Sequence, residues 1–257
     1  MRHIRVIGIG SGNPDHMTIQ AIKALKSVDV IFMFDKGAEK TELVEIRRAI
    51  CAEHITKSDF RIVDIDSPAR DATAGYKPGV DAWHKARADL AQTAIGRELG
   101  ENQSGAFLVW GDPALYDSTL RILRTILAND PGAFTFDVIP GITSIQVLAA
   151  RHKITLNAIG EPVHITTGRK LAEGMALQSA PDPSTTVVML DDGSGLESIS
   201  DTDTHIYWGA YLGMRDEVII SGPTREVIGD IRDIRQRERK RKGWIMDAYL
   251  LRREKST

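Results

Sequence analysis

The stretch I-G-I-G-S-G-N-P-D, residues Ile7 to Asp15, begins inside the apolar run Ile4–Ile9. A strand that runs into a glycine-rich loop is a common place for α/β proteins to bind a phosphorylated or adenosyl ligand. The loop does not match the dinucleotide fingerprint G-x-G-x-x-G, because Asn13 or Asp15 stands where the third glycine belongs. A Walker phosphate loop needs a Gly-Lys pair, and the chain contains none. Taken alone, the loop is equally well interpreted as a tight turn that packs a strand against a helix.

The composition is that of a globular protein, with 42% hydrophobic and 26% charged residues. No apolar stretch approaches the roughly 18 residues of a membrane span, and the N-terminus runs at once into a strand, which leaves no room for a signal peptide. The single cysteine, Cys51, fits a reducing compartment, and the net charge of −2 gives no general attraction to nucleic acid or membrane. The histidines are scattered, so we expect no metal site. These features predict a cytoplasmic protein.

The first half of the chain alternates strand-like and helix-like stretches, which predicts a parallel sheet with helices on both faces. The predicted strands are Ile4–Ile9, Val28–Phe34, Arg61–Ile65, Ala106–Trp110 and Phe136–Ile139. The predicted helices are Thr18–Lys26, Glu39–His54, Val80–Leu99, Leu120–Leu127 and Ile142–His152. In such a sheet, ligands bind beyond the carboxyl ends of the strands.

The second half has closely spaced strands with fewer helices between them, which predicts hairpins and a mixed sheet. The predicted strands are Val163–Thr167, Thr186–Leu190, His205–Leu212, Glu217–Ser221 and Trp244–Arg252. The earlier pattern breaks at Gly160 and Pro162. We therefore expect two α/β domains, residues 1–156 and 157–257, with the ligand in a cleft between them.

Two further Gly/Pro-rich turns occupy the same kind of position as the opening loop, between a predicted strand and a helix. The segments W-G-D-P-A-L-Y-D-S-T (Trp110–Thr119) and V-I-P-G-I-T-S (Val138–Ser144) each follow a predicted strand and precede a helix. Taken singly, each is best explained as a turn with a helix N-cap. Three Gly/Pro-rich turns at the carboxyl ends of parallel strands converge on one edge of the sheet, and this convergence indicates a ligand site far more specifically than any one of them.

In this order and spacing, the three turns resemble those of the tetrapyrrole (corrin/porphyrin) methyltransferase family, whose members use S-adenosylmethionine. The resemblance rests on the opening loop with Met17-Thr18, on Gly111-Asp112-Pro113 and on Pro140–Ser144. In the second half, Thr186–Leu190 and the hairpin from Leu212 to Gly222 match as well. The resemblance covers essentially the whole chain. It implies the class III S-adenosylmethionine-dependent methyltransferase fold, with the active site in the cleft between the two domains.

Three longer stretches are similar to the deacetylating members of this family in aerobic cobalamin biosynthesis: F-L-V-W-G-D-P-A-L-Y-D-S-T-L-R, I-G-E-P-V-H-I-T-T-G-R and I-Y-W-G-A-Y-L-G-M-R-D-E. The insert around Asp64–Asp89 is typical of the same subgroup. The similarity implies that carbon 1 of precorrin-5 is methylated and that a two-carbon acyl group leaves as acetate, with water consumed. Methyl transfer chiefly requires alignment and no metal, whereas the acyl step requires a general base or a polarised acyl oxygen.

The resemblance also implies site residues. Those that correspond to the family's contacts with S-adenosylmethionine, which leaves as S-adenosylhomocysteine, are Trp110, Gly111, Asp112, Leu115, Thr143, Ser144, Leu190, Tyr211 and Trp244. The tetrapyrrole carries many carboxylates and needs cations, for which the candidates are Arg70, Lys77, Arg87, Arg121, Arg151 and Arg169. Ser11 and Asn13 of the opening loop are expected to face the macrocycle. The candidate general acids or bases are His84, Tyr116 and Asp117, although a surface histidine and a helix cap explain His84 and Asp117 at least as well.

Two other functions compete with this interpretation. The run R-D-I-R-Q-R-E-R-K-R-K (Arg232–Lys242) favours nucleic-acid binding, but Val227, Ile231 and Ile234 give it one apolar face, so a solvated helix explains it better. A methyltransferase of the same family that acts on another precorrin carbon, or on ribosomal RNA, remains open. Because homodimers are usual in the family, we expect a homodimer.

Overall fold

The computed structural model describes residues 1–35, 41–55, 57, 60–68, 76–174, 185–199 and 204–253. The chain divides into two compact units, Met1–Thr143 and Ser144–Thr257. Each unit is built on one five-stranded sheet.

The first unit has the parallel sheet that the alternating pattern predicts. Its strands, in the spatial order β3-β2-β4-β1-β5, are β1 (His3–Gly8), β2 (Val30–Asp35), β3 (Arg61–Asp66), β4 (Ser104–Val109) and β5 (Thr135–Ile139). Its helices are α1 (Ile19–Lys26), α2 (Thr41–His54), α3 (Tyr76–Glu98) and α4 (Thr119–Asn129), with a short 3-10 helix at Pro14–His16. Helix α3 begins earlier than the predicted Val80, because a proline such as Pro78 is tolerated in a first helical turn.

The strands of this sheet are apolar on both faces because each face is covered by helices. Successive side chains of a strand point to opposite faces. On β1, Ile4 and Val6 therefore pack in one core cluster with apolar side chains of α3 and α4. Ile7 and Ile9 pack in the other cluster with those of α1 and α2. This two-sided burial explains the nearly continuous apolar runs in the sequence.

The second unit has the predicted mixed sheet. Its strands, in the order β6-β7-β10-β8-β9, are β6 (Val163–Thr167), β7 (Thr185–Met189), β8 (Thr204–Ala210), β9 (Val218–Pro223) and β10 (Asp247–Arg253). Strands β6 and β7 are parallel, and the other neighbouring pairs are antiparallel. The helices are α5 (Ser144–His152), α6 (Gly168–Ala172), α7 (Ser194–Ser198) and α8 (Thr224–Lys242). Helices α6 and α7 are too short to show a helical period, so the sequence analysis did not predict them.

The division between the units differs from the boundary predicted at 156/157, since it falls between Thr143 and Ser144. Helix α5 buries Ile145, Val147 and Leu148 and packs against β8, β9 and β10. At its end, Nε2 of His152 donates a hydrogen bond to a main-chain carbonyl of β8 at 3.0 Å. The break at Gly160 and Pro162 marks only the loop before β6.

The basic run lies on α8, and many of its charges are engaged within the second unit. Nε of Arg235 is 2.9 Å from Oδ2 of Asp247, and both side chains are buried. Glu238 and Asp216 pair with Arg241. This agrees with a solvated and partly structural helix. Among the residues that the structure describes, no helix is long and apolar enough to cross a membrane.

Candidate active site

The three Gly/Pro-rich turns of the first unit meet at the carboxyl edge of its sheet, as their spacing predicts. Gly10 and Gly111 form an antiparallel bridge, with the Gly111 N–H donating to the Gly10 carbonyl at 2.8 Å. A Cβ atom on Gly141 would lie 2.0 Å from the Gly111 carbonyl oxygen and 2.9 Å from Cα of Gly8. Only glycine permits so close an approach of three main chains.

Asp112 fixes this edge through both of its carboxylate oxygens. Oδ1 accepts a hydrogen bond from the Ala114 N–H at 2.7 Å, and Oδ2 accepts one from the Gly141 N–H at 2.8 Å. The Leu115 N–H donates to the Asp112 carbonyl at 3.1 Å within the same turn. The Asp112 side chain therefore connects the turns after β4 and β5. Because both of its oxygens already accept hydrogen bonds, a contact between Asp112 and a ligand would be made by its main chain.

The opening loop holds its polar side chains in local hydrogen bonds. Oδ1 of Asn13 accepts from the Asp15 N–H at 2.9 Å and caps the 3-10 helix. Oγ of Ser11, which is buried, is 3.1 Å from Nδ1 of His16. Contact of Ser11 and Asn13 with the macrocycle stays a prediction.

Arg87 is a buried cation on α3, with 5% of its surface exposed. Its guanidinium carbon lies 3.9 Å from the centroid of the Phe34 ring and 4.5 Å from that of Trp83. Nη1 donates to Oγ of Ser118 at 2.9 Å, whereas buried Nε has no hydrogen-bond partner among the described residues. Burial lowers the Arg87 pKa to about 10, and the negative charge of Asp117 opposes this shift.

Arg47 on α2 is a half-buried cation at this edge, and the sequence analysis missed it. Its guanidinium carbon lies 5.1 Å from the centroid of the Trp110 ring. Burial lowers the Arg47 pKa to about 10, again against the charge of Asp117. Nε1 of Trp110 is buried without a hydrogen-bond partner in the part of the chain that the structure describes. The sequence does contain a signal for this position. Arg47 is four residues after the buried Leu43 and three before the buried Ile50, so all three lie on the same face of the helix.

Three further polar residues lie on α3 or in the turn before α4. Tyr116 is 46% exposed, has a left-handed backbone (φ +51°), and its pKa is raised by burial, so its hydroxyl stays protonated. Oδ1 of Asp117 accepts from the Thr119 N–H at 2.6 Å, which makes it a cap for α4. Burial, followed by the charges of Arg121 and Arg87, lowers the His84 pKa, which favours a neutral imidazole. Nδ1 of His84 is 3.4 Å from Nη1 of Arg121 and must accept there, because a guanidinium only donates.

In the second unit, the predicted cofactor residues divide into exposed and buried ones. Leu190, directly after β7, is 64% exposed and has φ +51°. Tyr211 also has a left-handed backbone (φ +52°), so β8 ends before it and not at the predicted Leu212. The Tyr211 side chain is fully buried, and its hydroxyl donates to the Trp244 carbonyl at 2.9 Å. Trp244 is also buried, with its ring centroid 5.1 Å from that of Tyr211. Ligand contacts of Tyr211 and Trp244 would therefore use the main chain.

The remaining predicted residues are distributed as follows. Thr143 is buried at the end of the first unit, and Ser144 begins α5. The exposed Arg151 pairs with Glu217, and the exposed Arg169 lies 3.3 Å from Glu173. Arg70 and the side chain of Lys77 lie outside the described residues. The structure therefore brings Arg87 to the sheet edge together with Trp110, Tyr116 and Asp117, whereas Arg151 and Arg169 form ion pairs within the second unit.

Asp191 supports the loop that follows Leu190, and the sequence analysis did not identify it. Its Oδ1 accepts from the Gly193 and Gly195 N–H groups, both at 2.9 Å. Its Oδ2 accepts from the Leu196 N–H at 2.9 Å and from the Tyr249 hydroxyl at 2.8 Å. The sequence D-D-G-S-G (Asp191–Gly195), directly after a predicted strand, is typical of such a turn and could have indicated this role. No group of His, Cys, Asp and Glu side chains within the described ranges is arranged to hold a metal ion.

Comparison with known proteins gives consistent matches. Residues 3–228 match the model of the tetrapyrrole (corrin/porphyrin) methylases. The chain is 52% identical over 254 residues to a precorrin-6A synthase [deacetylating] of Sinorhizobium sp, which covers 98% of this chain and 96% of that protein. It is 32% identical over 148 residues to a precorrin-2 C(20)-methyltransferase of Sinorhizobium sp, which covers 55% of each.

Solved structures share the fold. A cobalamin synthesis related protein (CobF) from Corynebacterium diphtheriae is similar with a TM-score of 0.83 and 39% identity, covering 98% of this chain and 99% of that one. A uroporphyrin-III C-methyl transferase from Thermus thermophilus, complexed with S-adenyl homocysteine, has a TM-score of 0.57 at 16% identity, covering 97% and 91%. At that identity the second likeness concerns the fold alone.

Proposed function

Since the chain belongs to the tetrapyrrole (corrin/porphyrin) methylase family, we propose that it converts precorrin-5 to precorrin-6A as an S-adenosylmethionine-dependent C-methyltransferase. The reaction methylates carbon 1 and releases acetate by hydrolysis. The observation that carries this proposal is the 52% identity to a precorrin-6A synthase [deacetylating] over nearly the full length of both chains. The 32% identity to a methyltransferase of another precorrin carbon extends over only 55% of this chain.

S-adenosylmethionine supplies the methyl group as an activated sulfonium, so the protein's part is to hold and align it. The residues fit such a ligand. The turns at Gly8, Gly111 and Gly141 present main chain without side chains between them. Leu190 presents an exposed apolar side chain on a left-handed backbone. We propose that Gly111, Asp112, Thr143, Ser144 and Leu190 contact the cofactor, with Trp110 and Leu115 beside them and Tyr211 and Trp244 acting through their main chain.

The tetrapyrrole substrate carries several carboxylates, and we propose that Arg47 and Arg87 bind one of them. Neither guanidinium forms an ion pair with any residue that the structure describes, although both are largely removed from water. A buried charge without a partner is costly, and a substrate carboxylate would supply the partner. Planar guanidinium groups also suit bidentate carboxylate binding. The predicted contributions of Arg70, Lys77, Arg121, Arg151 and Arg169, and of Ser11 and Asn13, remain part of this proposal.

Loss of the acyl group requires polarisation of its carbonyl oxygen. We assign this role to Tyr116, because its hydroxyl is protonated and the residue is partly exposed at the sheet edge. The negative charge of Asp117 lies near Arg47 and Arg87 and favours the charged form of both guanidinium groups. His84 is the remaining predicted acid or base, and its lowered pKa favours the neutral imidazole.

The deciding experiment is incubation of the protein with precorrin-5 and methyl-labelled S-adenosylmethionine. We expect labelled precorrin-6A, S-adenosylhomocysteine and acetate in equal amounts, with the label at carbon 1 by NMR. Precorrin-2 and ribosomal RNA serve as control substrates and should stay unlabelled. Methyl transfer without acetate would contradict the deacetylating assignment, and labelled ribosomal RNA would support the competing function. A failure to bind S-adenosylhomocysteine in calorimetry would contradict the cofactor.

We further propose a cytoplasmic homodimer, by analogy with the family. The single, buried Cys51 suits a reducing compartment. Light scattering coupled to size-exclusion chromatography measures the mass in solution. A mass near 57 kDa, about twice the 28.3 kDa chain, would support the dimer, and a mass near that of one chain would contradict it.

A further inference from the structure

A serine and a histidine of the opening loop form a hydrogen-bonded pair beside the meeting point of the three turns. Oγ of Ser11 is 3.1 Å from Nδ1 of His16. A Cβ atom on Gly10 would lie 2.7 Å from Cβ of His16. Because Gly10 is itself bridged to Gly111, the His16 side chain starts next to the main chain that we assign to the cofactor.

The pair leaves one nitrogen of His16 available. Ser11 is 7% exposed and so cannot readily move, whereas His16 is half-buried. Nε2 of His16 forms no hydrogen bond with any residue in the described ranges. When Nδ1–H donates to the Ser11 oxygen, the lone pair is on Nε2. A histidine with one nitrogen held in this way and the other available is the usual arrangement of a general base.

We propose that His16 is the general base of the deacylation step and that Ser11 is its positioning residue. This inference rests on the proposed function. Nε2 of His16 takes a proton from water, and the hydroxide oxygen bonds to the acyl carbonyl carbon. The carbonyl electron pair moves to the acyl oxygen and then returns as the bond between that carbon and ring carbon 1 breaks. The product leaves as acetic acid, which loses its proton to water and becomes acetate. The electron pair of the broken bond remains on carbon 1, which takes the methyl group from the sulfonium as the sulfur recovers its bonding pair.

Asp112, Asp117 and His84, the other candidate bases at this edge, are already engaged. Both carboxylate oxygens of Asp112 accept main-chain hydrogen bonds, and Oδ1 of Asp117 caps α4. Nδ1 of His84 is in contact with a guanidinium, which can only donate. His16 is therefore the better placed base.

The chain offers a matched control at the opposite end of β1. Nδ1 of His3 is 2.8 Å from Oγ1 of Thr135, so this pair also joins a histidine to a hydroxyl within the first unit. It lies at the amino end of the strands, away from the turns. If the Ser11–His16 hydrogen bond only stabilised the loop, loss of His16 and loss of His3 would have similar effects on kcat.

The test compares His16→Gln with His3→Gln, using precorrin-5 and S-adenosylmethionine. We expect His16→Gln to lower kcat for acetate release by at least about 100-fold and to lower methyl transfer in parallel, because methylation follows deacylation. KM for precorrin-5 and Kd for S-adenosylhomocysteine should stay within twofold, which also shows that the variant folds. His3→Gln should keep the wild-type kcat. Ser11→Ala should lower kcat about tenfold, and Ser11→Thr should restore most of it.

A second measurement separates a base from a structural side chain. Imidazole added to His16→Gly should restore acetate release, whereas imidazole should leave His3→Gly unchanged. Unaltered acetate release in His16→Gln would overturn the inference, as would loss of methyl transfer with acetate release intact. A wild-type protein that binds S-adenosylhomocysteine but releases no acetate from precorrin-5 would instead contradict the proposed function.

Discussion

Leu190 combines a bulky side chain, a left-handed backbone (φ +51°) and 64% exposure. The left-handed conformation costs a residue with a Cβ atom about 1–2 kcal/mol, and a side chain as exposed as that of Leu190 recovers little of this through burial. Tyr116 and Tyr211 share the same backbone conformation. Strain of this kind is concentrated at functional sites, and all three residues were assigned to the site from the sequence.

The strain at Leu190 leads to a prediction of opposite effects on stability and binding. Leu190→Gly should stabilise the protein by about 1 kcal/mol, because glycine adopts this backbone freely. The same variant should weaken S-adenosylhomocysteine binding, since the apolar contact is lost. Urea denaturation and calorimetry measure the two effects. Lys153→Gly, at φ +57° in an exposed turn, is the matched control and should stabilise without weakening binding. Unchanged affinity in Leu190→Gly would remove Leu190 from the cofactor site.

Substitution of Arg87 tests whether this residue binds a substrate carboxylate. Arg87→Lys keeps the charge but loses the planar guanidinium that lies over the Phe34 and Trp83 rings. We expect KM for precorrin-5 to rise about tenfold or more, equivalent to about 1.4 kcal/mol, with little change in kcat. Arg124→Lys, exposed on α4, should keep the wild-type KM. Steady-state kinetics measure both KM values, and equal values for the two variants would contradict carboxylate binding by Arg87.

At the scale of elements, the close approach of three strand-to-helix turns is the feature on which the site depends. An added Cβ atom on Gly141 would meet main chain of both neighbouring turns, at 2.0 Å from the Gly111 oxygen and 2.9 Å from Gly8. Main-chain atoms cannot relieve a steric clash by changing rotamer, as a flexible side chain can. The turns therefore behave as one structural unit, although they lie far apart in the sequence.

Gly141→Ala should consequently destabilise the protein by about 3 kcal/mol or more and abolish S-adenosylhomocysteine binding. Gly229→Ala on α8 is the control, because an added Cβ there would meet nothing within 4 Å. That variant should be more stable by about 0.5–1 kcal/mol, since alanine favours the helix. Chemical denaturation followed by circular dichroism measures both values. A Gly141→Ala protein of wild-type stability would show that the turns can separate at little cost.

At the scale of the whole molecule, histidine burial makes stability depend on pH. Burial lowers the His152 pKa from its usual value near 6.5, although its bond to the Trp208 carbonyl and the charge of Glu217 oppose the shift. The unfolded chain then binds more protons than the folded one as the pH falls below about 6.5. The stabilising contribution of His152 is therefore present above that pH and is lost as the pH falls.

His152→Gln should flatten the dependence of unfolding free energy on pH between about 7 and 5, because glutamine does not titrate while its amide can replace Nε2 as a donor. Denaturation curves at several pH values measure the slope. His84, whose pKa is lowered too, contributes in the same direction and remains in the variant. A variant with the full wild-type slope would contradict the role given to His152.

Much of the architecture follows from local patterns. The apolar runs of β1, β2 and β4 and the helical spacing between them predict a parallel sheet, because two-sided burial leaves a strand apolar throughout. The close spacing of strands in the second half predicts the mixed sheet. The short helices α6 and α7 were not predicted, since five residues are too few to show a helical period. Helix α5 was predicted within the first domain, whereas the structure groups it with the second unit, because its apolar face does not reveal which sheet it covers.

Local sequence patterns are enough to predict the two sheets, the three turns at the strand ends and, through the resemblance of those turns, the family. Each of these depends on residues within a few positions of one another, so a local pattern suffices. The folded structure was needed to show which distant groups meet: Arg47 with Trp110, Gly141 with Gly111, and Arg87 with the ring of Phe34. It also decided that Tyr211 and Trp244 are buried while Leu190 is exposed. Burial and the distance between atoms far apart in the chain arise from packing, which no local spacing encodes.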